Sequence, residues 1–149
     1  MSFALSLDEM EGAGRDIASV LQVGDVIGLS GDLGAGKTTL ARAILAALGL
    51  AGEAPSPSFA IVQPYDEGET RLPLLHVDLY RLDTPQECRE LGLEDARRDH
   101  ALLIEWPERM GADLPADMLH ISISPHGEDA RCLTVDVPPA WEGRWSLPR

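Results

Sequence analysis

The octapeptide Gly31-Asp32-Leu33-Gly34-Ala35-Gly36-Lys37-Thr38 fits the pattern G-x-x-x-x-G-K-[ST] of a phosphate-binding loop. The apolar run that precedes it, residues 26–29, is typical of a buried strand. The residues that follow it, 38–48, are rich in alanine and leucine and favour a helix, and Gly49 stands where a helix C-cap is expected. Strand, glycine-rich loop and helix in this order form the context in which the pattern predicts nucleotide binding.

The residue types in this loop match the chemistry of a triphosphate. Glycines let backbone N–H groups wrap around phosphate oxygens, and the positive end of the following helix points at the same oxygens. We expect Lys37, the only lysine of the chain, to reach the β- and γ-phosphates and the Thr38 hydroxyl to bind Mg²⁺. Nucleotide contacts are therefore predicted for the whole loop and for Thr39. The Asp32 carboxylate should point outward, because phosphate would repel it.

The length and charge of the chain restrict its functional class. A chain of 149 residues predicts one domain, residues 1–137, followed by a C-terminal tail, residues 138–149. We expect this tail to be poorly ordered, with Trp141 and Trp145 as the candidates for docking. The formal net charge of −13 predicts weak RNA binding by the chain alone, since Lys and Arg supply most of the grip on phosphates. If RNA is involved, a partner is expected to hold it.

The sequence also predicts the cellular compartment. No apolar run has the length of a membrane helix, and the N-terminus lacks a basic segment followed by an apolar stretch. Cys88 and Cys132 have neither C-x-x-C nor metal-ligand spacing, so we interpret them as reduced cysteines that pack in the protein. Together with the nucleotide motif, these features predict a cytoplasmic protein.

The remaining sequence predicts helices and strands around the loop. Ser6 and Glu9 have capping-box spacing at the start of an amphipathic helix over residues 7–22. The other predicted elements are a hairpin of residues 59–63 and 72–78, a short helix from Thr84 to about Gly92, a strand over 101–106, and a hairpin of residues 119–123 and 133–137. The expected class is α/β: a single P-loop NTPase-like domain in which a mixed sheet with antiparallel hairpins is flanked by helices.

Two carboxylates are candidates for the second half of the site, because a P-loop NTPase needs an acidic residue that manages Mg²⁺ and water. Glu105 follows four apolar residues, 101–104, and is the clearer case. Asp78 ends a second apolar run, in which His76, Asp78 and Tyr80 share one face if the strand stays extended. We expect both carboxylates to line the site, with Glu105 nearer to the metal or the water. For Trp106, packing and function are both open.

Taken in order, four segments resemble the bacterial TsaE family: the loop 31–39, Ser56-Pro57-Ser58, His76-Val77-Asp78-Leu79-Tyr80-Arg81-Leu82 and Glu105-Trp106-Pro107. The resemblance runs from about residue 5 to residue 137. That family is the small ATPase required for making N6-threonylcarbamoyladenosine in tRNA. The resemblance implies ATP and Mg²⁺ as cofactors, and TsaD and TsaB as the partners that supply the tRNA-modifying chemistry.

The resemblance also assigns roles to single residues. It implies that Thr38 and Glu105 bind Mg²⁺ and that Asp78 lies in the active site, with Glu105 near the attacking water. With Lys37 from the loop, the predicted catalytic residues are Lys37, Asp78 and Glu105, and the predicted metal ligands are Thr38, Glu105 and Asp78. Further nucleotide contacts are implied at Glu9 and at Ser58, where the family usually has Thr and this chain keeps only the hydroxyl. Arg81 is open between a charge-stabilising residue and a partner-facing one.

Two other functions share the phosphate-binding loop. A small-molecule kinase of the nucleoside or shikimate type needs an acceptor-binding segment and an Arg-rich lid. Residues 84–100 are short for that purpose, but they carry Arg89, Arg97 and Arg98, so this alternative stays open. A GTP-dependent switch is disfavoured, because the guanine motif N-K-x-D needs a second lysine and no D-x-x-G follows the loop.

Overall fold

The computed structural model describes residues 2–32, 35–52 and 61–145. Its strands are β1 (Ser2–Ser6), β2 (Val26–Ser30), β3 (Val62–Tyr65), β4 (Leu74–Asp78), β5 (Ala101–Glu105), β6 (Leu119–His126) and β7 (Ala130–Asp136). Its α-helices are α1 (Leu7–Val20), α2 (Lys37–Ala47), α3 (Pro85–Arg89) and α4 (Leu93–Ala96). A first 3-10 helix covers Pro107–Asp113 and a second one Pro139–Trp141.

The strands form one mixed sheet in the order β1-β7-β6-β2-β5-β4-β3. β2 pairs in parallel with β5 and β6, and β4 pairs in parallel with β5. The pairs β3–β4, β6–β7 and β1–β7 are antiparallel, so the predicted mixed sheet with antiparallel hairpins is confirmed. Because β2, β5 and β4 run parallel side by side, the loop after β2 and the acidic ends of the other two strands meet at one edge.

Helices cover both faces of the sheet. α1 and α2 pack on one face, where Met10 and Ile17 are fully buried. The two helices approach closely at Gly14, since a Cβ at this position would stand only 2.7 Å from the Cβ of Ala43. On the other face, the core under α3, α4 and the first 3-10 helix includes Cys88 and Leu93. Two separate apolar cores, one on each face of the sheet, therefore support the edge that carries the predicted site.

The local predictions differ in outcome: the capping box is confirmed, the bounds of one strand change, and two elements were not predicted. The capping box of α1 is present, with the Glu9 N–H donating to Ser6 Oγ at 3.2 Å and the Ser6 N–H donating to Glu9 Oε1 at 3.0 Å. The first strand of the predicted hairpin, residues 59–63, corresponds to β3, which extends to Tyr65 through its pairing with β4, whereas residues 59 and 60 lie outside the described residues. β1 was not predicted, since five residues become a strand only by pairing with β7. α4 was also missed, because α3 ends early and a new helix begins after Gly92.

The beginning of the C-terminal tail packs on the domain. Trp141 is 1% exposed, and the Arg144 guanidinium lies 4.2 Å from the centroid of its ring. Arg144 also binds both oxygens of the Asp25 carboxylate, at 2.7 and 2.9 Å. Trp145 is partly buried against the same core. The expectation of poor order therefore does not hold for residues 138–145.

Replacing Trp141 by alanine is expected to lower the free energy of unfolding by about 3–5 kcal/mol, because it leaves a cavity in the core under α1. Urea unfolding followed by circular dichroism measures this change. The matched control is Glu142→Ala at the exposed neighbouring position, which should shift the free energy by no more than about 0.5 kcal/mol. Equal stability of Trp141→Ala and the wild type would mean that the tail contributes nothing to the fold.

The two cysteines are free, as predicted. Cys88 is buried in the second core, where its thiol donates to the Arg109 carbonyl at 3.6 Å and burial raises its pKa. No helix in the described part of the chain has the length and apolar character needed to cross a membrane.

Candidate functional site

The phosphate-binding loop begins at the end of β2, beside the backbone of β6. Gly31 has φ +149°, and a Cβ at this position would stand 2.4 Å from the carbonyl oxygen of Ile123. Only glycine therefore fits here without displacing the β6 backbone. The preceding residue, Ser30, donates to Glu108 Oε2 at 2.6 Å and lies 2.7 Å from His120 Nε2. The start of the loop is thus held against β6 and the first 3-10 helix.

The Lys37 ammonium is almost fully buried, and its hydrogen-bond partners in the described part of the structure are two backbone carbonyl groups. Its side chain is 4% exposed, and Nζ donates to the carbonyl oxygens of Gly31 (2.5 Å) and Asp32 (2.8 Å). Nζ also lies 4.6 Å from the centroid of the Trp106 ring. A buried cation is ordinarily paired with an anion. Its placement at the N-terminus of α2 therefore fits a site for phosphate.

The structure brings the two predicted carboxylates together. Asp78 and Glu105 are register partners on the adjacent parallel strands β4 and β5. Glu105 is 2% exposed, and its two oxygens have different partners. Oε1 accepts a hydrogen bond from Thr38 Oγ1 at 3.0 Å, whereas Oε2 lies 2.7 Å from Nε2 of the buried His76. Thr38 and Glu105 thus connect the loop directly to the neighbouring strand end.

Asp78 has a different environment from Glu105. Partial burial raises the pKa of its carboxyl group, and the nearby Glu105 adds to this rise. The Tyr80 backbone N–H, which donates to Asp78 Oδ1 at 2.9 Å, opposes the shift. A cation bound between Asp78 and Glu105 would oppose this rise in pKa, because it favours the charged form of the Asp78 carboxyl group.

The oxygen atoms at this edge fit Mg²⁺. A hydroxyl from Thr38 and carboxylates from Glu105 and Asp78 are hard oxygen donors of the kind that Mg²⁺ prefers. Within residues 2–32, 35–52 and 61–145, no group of three or more His, Cys, Asp or Glu side chains is arranged to hold a metal on its own. An ion that binds together with a nucleotide needs only one or two carboxylates, because phosphates supply further oxygens.

Trp106 lies beside the predicted catalytic residue Lys37. It is a non-glycine residue with positive φ (+60°), a conformation that costs about 1–3 kcal/mol. Its ring stacks at a tilt on Tyr80, with 4.9 Å between the centroids, and also lies beside Lys37. The Arg109 guanidinium lies 5.7 Å from the Trp106 centroid and 5.8 Å from that of Tyr80. The strained backbone thus places an aromatic cluster next to the site. The sequence alone left open whether Trp106 serves packing or function.

A cavity of about 780 Å³ lies between α1 and α2 beside the loop. Thr39 and Arg131 line it, together with Asp8 and Met10. Glu9 does not line it, because its carboxylate caps α1, and the hydrogen bonds with Ser6 lower the pKa of that carboxyl group. The role of Glu9 as a nucleotide contact therefore stays a prediction.

Arg131 is a site residue that sequence reasoning missed. Its Nε donates to the carbonyl oxygen of Ala35 at 2.9 Å, and its side chain packs beside Gly36, where an added Cβ would stand 3.7 Å from Arg131 Cγ. Nothing near the loop in sequence indicates this contact. It exists because the β6–β7 hairpin returns the chain to the loop.

Not every predicted contact can be placed. Leu33, Gly34 and Ser58 lie outside the described residues. Asp32 offers its backbone carbonyl to Lys37, and the outward direction of its carboxylate stays a prediction.

Known proteins resemble this chain over nearly the same residues as the sequence motifs indicate. The family model described as threonylcarbamoyl adenosine biosynthesis protein TsaE matches residues 5–133, which is most of the chain. The chain belongs to the TsaE family. TsaE from Bacillus subtilis is 36% identical over 128 residues, covering 85% of this chain and 78% of that protein. TsaE from Streptomyces coelicolor is 39% identical over 115 residues, covering 76% and 78%.

A solved structure agrees with this TsaE assignment. The crystal structure of YdiB from Bacillus subtilis superposes with a TM-score of 0.74 at 30% identity, covering 91% of this chain and 83% of that chain. The stretch matched by the TsaE model contains every predicted site residue from Glu9 to Glu105, as well as Arg131. The resemblance seen in the sequence motifs is thereby confirmed.

Proposed function

We propose that this chain is a Mg²⁺-dependent ATPase that supports the formation of N6-threonylcarbamoyladenosine in tRNA. The observation that carries the proposal is the 3.0 Å hydrogen bond from Thr38 to Glu105, which joins the phosphate-binding loop to the acidic end of β5. The printed names of the relatives, tRNA threonylcarbamoyladenosine biosynthesis proteins, supply the pathway.

Different residues at this edge of the sheet bind Mg²⁺ and the phosphates of ATP. Lys37 exchanges its two backbone carbonyl partners for the β- and γ-phosphates, which gives its buried charge an anionic partner. Thr38 and Glu105 would hold Mg²⁺, with Asp78 as the second carboxylate. When bound, Mg²⁺ neutralises the charge that develops on the phosphate oxygens.

Glu105 is placed to act on the attacking water. In hydrolysis, the water oxygen forms a bond to the γ-phosphorus while the bond to the bridging oxygen breaks, and ADP leaves with that electron pair. The Glu105 carboxylate orients the water and accepts its proton. Burial of Glu105 at 2% exposure keeps its geometry fixed and excludes bulk solvent.

The nucleoside half of ATP fits the cavity between α1 and α2. Its volume of about 780 Å³ is in the range of small-molecule sites, and Thr39 joins it to the loop. Arg131 stands between the loop and the cavity, where it can contact phosphate or base. Glu9 stands between Asp8 and Met10, which line the cavity, and keeps its proposed role as a contact from the start of α1.

The charge of the chain supports a partner-dependent role. With a formal net charge of −13, the chain should bind tRNA poorly by itself. The proposed partners TsaD and TsaB therefore hold the tRNA and perform the modifying chemistry, while this chain supplies ATP turnover in the cytoplasm.

ATP hydrolysis measured with and without TsaB–TsaD tests the proposal. We expect turnover that requires Mg²⁺ and increases when the partners are added, because only the complex couples hydrolysis to modification. Parallel reactions with shikimate or a nucleoside should leave the rate unchanged. Transfer of the γ-phosphate to either small molecule, without hydrolysis in the presence of the partners, would favour the kinase alternative instead.

A further inference from the structure

His76 is a fully buried histidine at the site, and the proposed mechanism gives it no role. It is 0% exposed and lies on β4, two residues before Asp78. Its register partner on β5 is Leu103, and its side chain reaches two positions further along β5 to Glu105. The contact from Nε2 to Glu105 Oε2 is 2.7 Å, which is short for a hydrogen bond between nitrogen and oxygen.

The two nitrogens of this ring have different surroundings. Nδ1 is buried and has no hydrogen-bond partner among the described residues. An ionised carboxylate only accepts hydrogen bonds, so the proton belongs on Nε2, where it is donated to Glu105. Among the described residues, a proton on Nδ1 would find no acceptor. The geometry therefore selects the tautomer with Nε2–H and a bare Nδ1.

This tautomer separates the two oxygens of Glu105. Oε2 is occupied by His76, whereas Oε1 faces Thr38 and the end of the phosphate-binding loop. A carboxylate without this restraint can turn and exchange its oxygens. A restrained one presents a single, fixed oxygen to water and metal, and fixed geometry is what general-base catalysis needs.

We propose that His76 is a positioning residue for the ATPase reaction, which holds Glu105 so that only Oε1 faces the reacting groups. The inference rests on the proposed function, because it assigns His76 a role in that reaction. A buried histidine could also serve packing alone, and the test must therefore separate the hydrogen bond from the volume of the ring.

Two substitutions separate the effect of the hydrogen bond from that of the ring volume. The side-chain amide nitrogen of Gln stands the same number of bonds from Cα as Nε2, whereas that of Asn matches Nδ1. His76→Gln should therefore keep the donor to Glu105 and hold kcat within about threefold of wild type. His76→Asn should lower kcat by about tenfold or more while KM for Mg-ATP changes less than about threefold. Equal kcat values for the two variants would overturn the proposal.

A double-variant cycle tests whether the effect passes through Glu105. When the carboxylate is already replaced in Glu105→Gln, adding His76→Asn should lower kcat by no more than about twofold, since the group to be positioned is gone. A further loss as large as that in the wild-type background would mean that His76 acts by another route, and would overturn the proposal.

A readout independent of turnover uses the nucleotide-free, Mg²⁺-free protein. Long-range proton–nitrogen correlation spectra of nitrogen-15-labelled histidine distinguish the two tautomers among the four histidines of the chain. The His76 signal, assigned by its loss in His76→Gln, should show a protonated Nε2 and a bare Nδ1. The opposite tautomer would refute the positioning hydrogen bond, even if His76→Asn fails to fold. Absence of ATP turnover in the wild type with its partners would contradict the proposed function, whereas the spectra would still decide the hydrogen bond.

Discussion

Replacing Glu105 by glutamine is expected to lower kcat for ATP hydrolysis by about a hundred- to ten-thousand-fold, the usual contribution of a positioned general base. Glutamine has the same length and can still contact Thr38 and His76, so the fold and the binding of Mg-ATP should persist. The amide cannot accept the proton of the attacking water. Phosphate release under partner-activated conditions measures the rate, and equilibrium binding of Mg-ATP measures the affinity.

The control for Glu105→Gln is Glu90→Gln, which removes the same charge from an exposed position after α3. It should leave the rate unchanged. Asp78→Asn should also impair turnover, because Asp78 is the register partner of Glu105 and a second oxygen donor for Mg²⁺. A Glu105→Gln protein that hydrolyses ATP at the wild-type rate with its partners would show that Glu105 does not act on the water.

Removing the Lys37 ammonium should weaken the binding of Mg-ATP as well as slow the chemical step. Lys37→Ala is expected to weaken Mg-ATP binding by about a hundredfold or more, since hydrogen bonds to charged groups contribute about 1.5–3 kcal/mol each. Lys37→Arg should not restore normal hydrolysis, because a planar guanidinium replaces a compact ammonium in a pocket bounded by Trp106. Calorimetric titration measures the affinity. Arg98→Ala, which removes a remote exposed cation, is the matched control.

The single lysine allows a chemical test of the same site. An amine-reactive ATP analogue can label only Lys37 or the α-amino group, and peptide mapping by mass spectrometry tells the two apart. Mg-ATP in excess should protect Lys37, while shikimate or a nucleoside should not. Labelling of Lys37 that proceeds equally with and without Mg-ATP would contradict a phosphate-binding role.

The local parts of the fold and site could be predicted because their signals lie within a few residues. The turn from β2 into α2 follows from glycine spacing, and the start of α1 follows from Ser6 and Glu9. Thr84 caps α3 with Pro85 at its first turn, as the sequence indicates. Glu105 was identified because four apolar residues precede it, which is a pattern that one strand displays alone.

Contacts between distant segments could not be predicted in the same way. β1 has alternating Phe3 and Leu5, but five residues are stable as a strand only when β7 supplies hydrogen bonds. Trp141 docks beside the ion pair between Arg144 and Asp25, which are far apart in the chain. Such contacts have no local signal, because their free energy arises only when the chain has closed the loops between them.

The sequence by itself determined the phosphate-binding loop, the acidic strand ends and the family, since each depends on residue type at short spacing. Only the tertiary structure decided how these parts act together. Pairing of β4 with β5 set Asp78 beside Glu105 and His76 at its Oε2, whereas pairing of β2 with β5 brought Thr38 to its Oε1. The β6–β7 hairpin brought Arg131 to the loop. Strand order and register position these side chains, and neither is encoded at any one place in the chain.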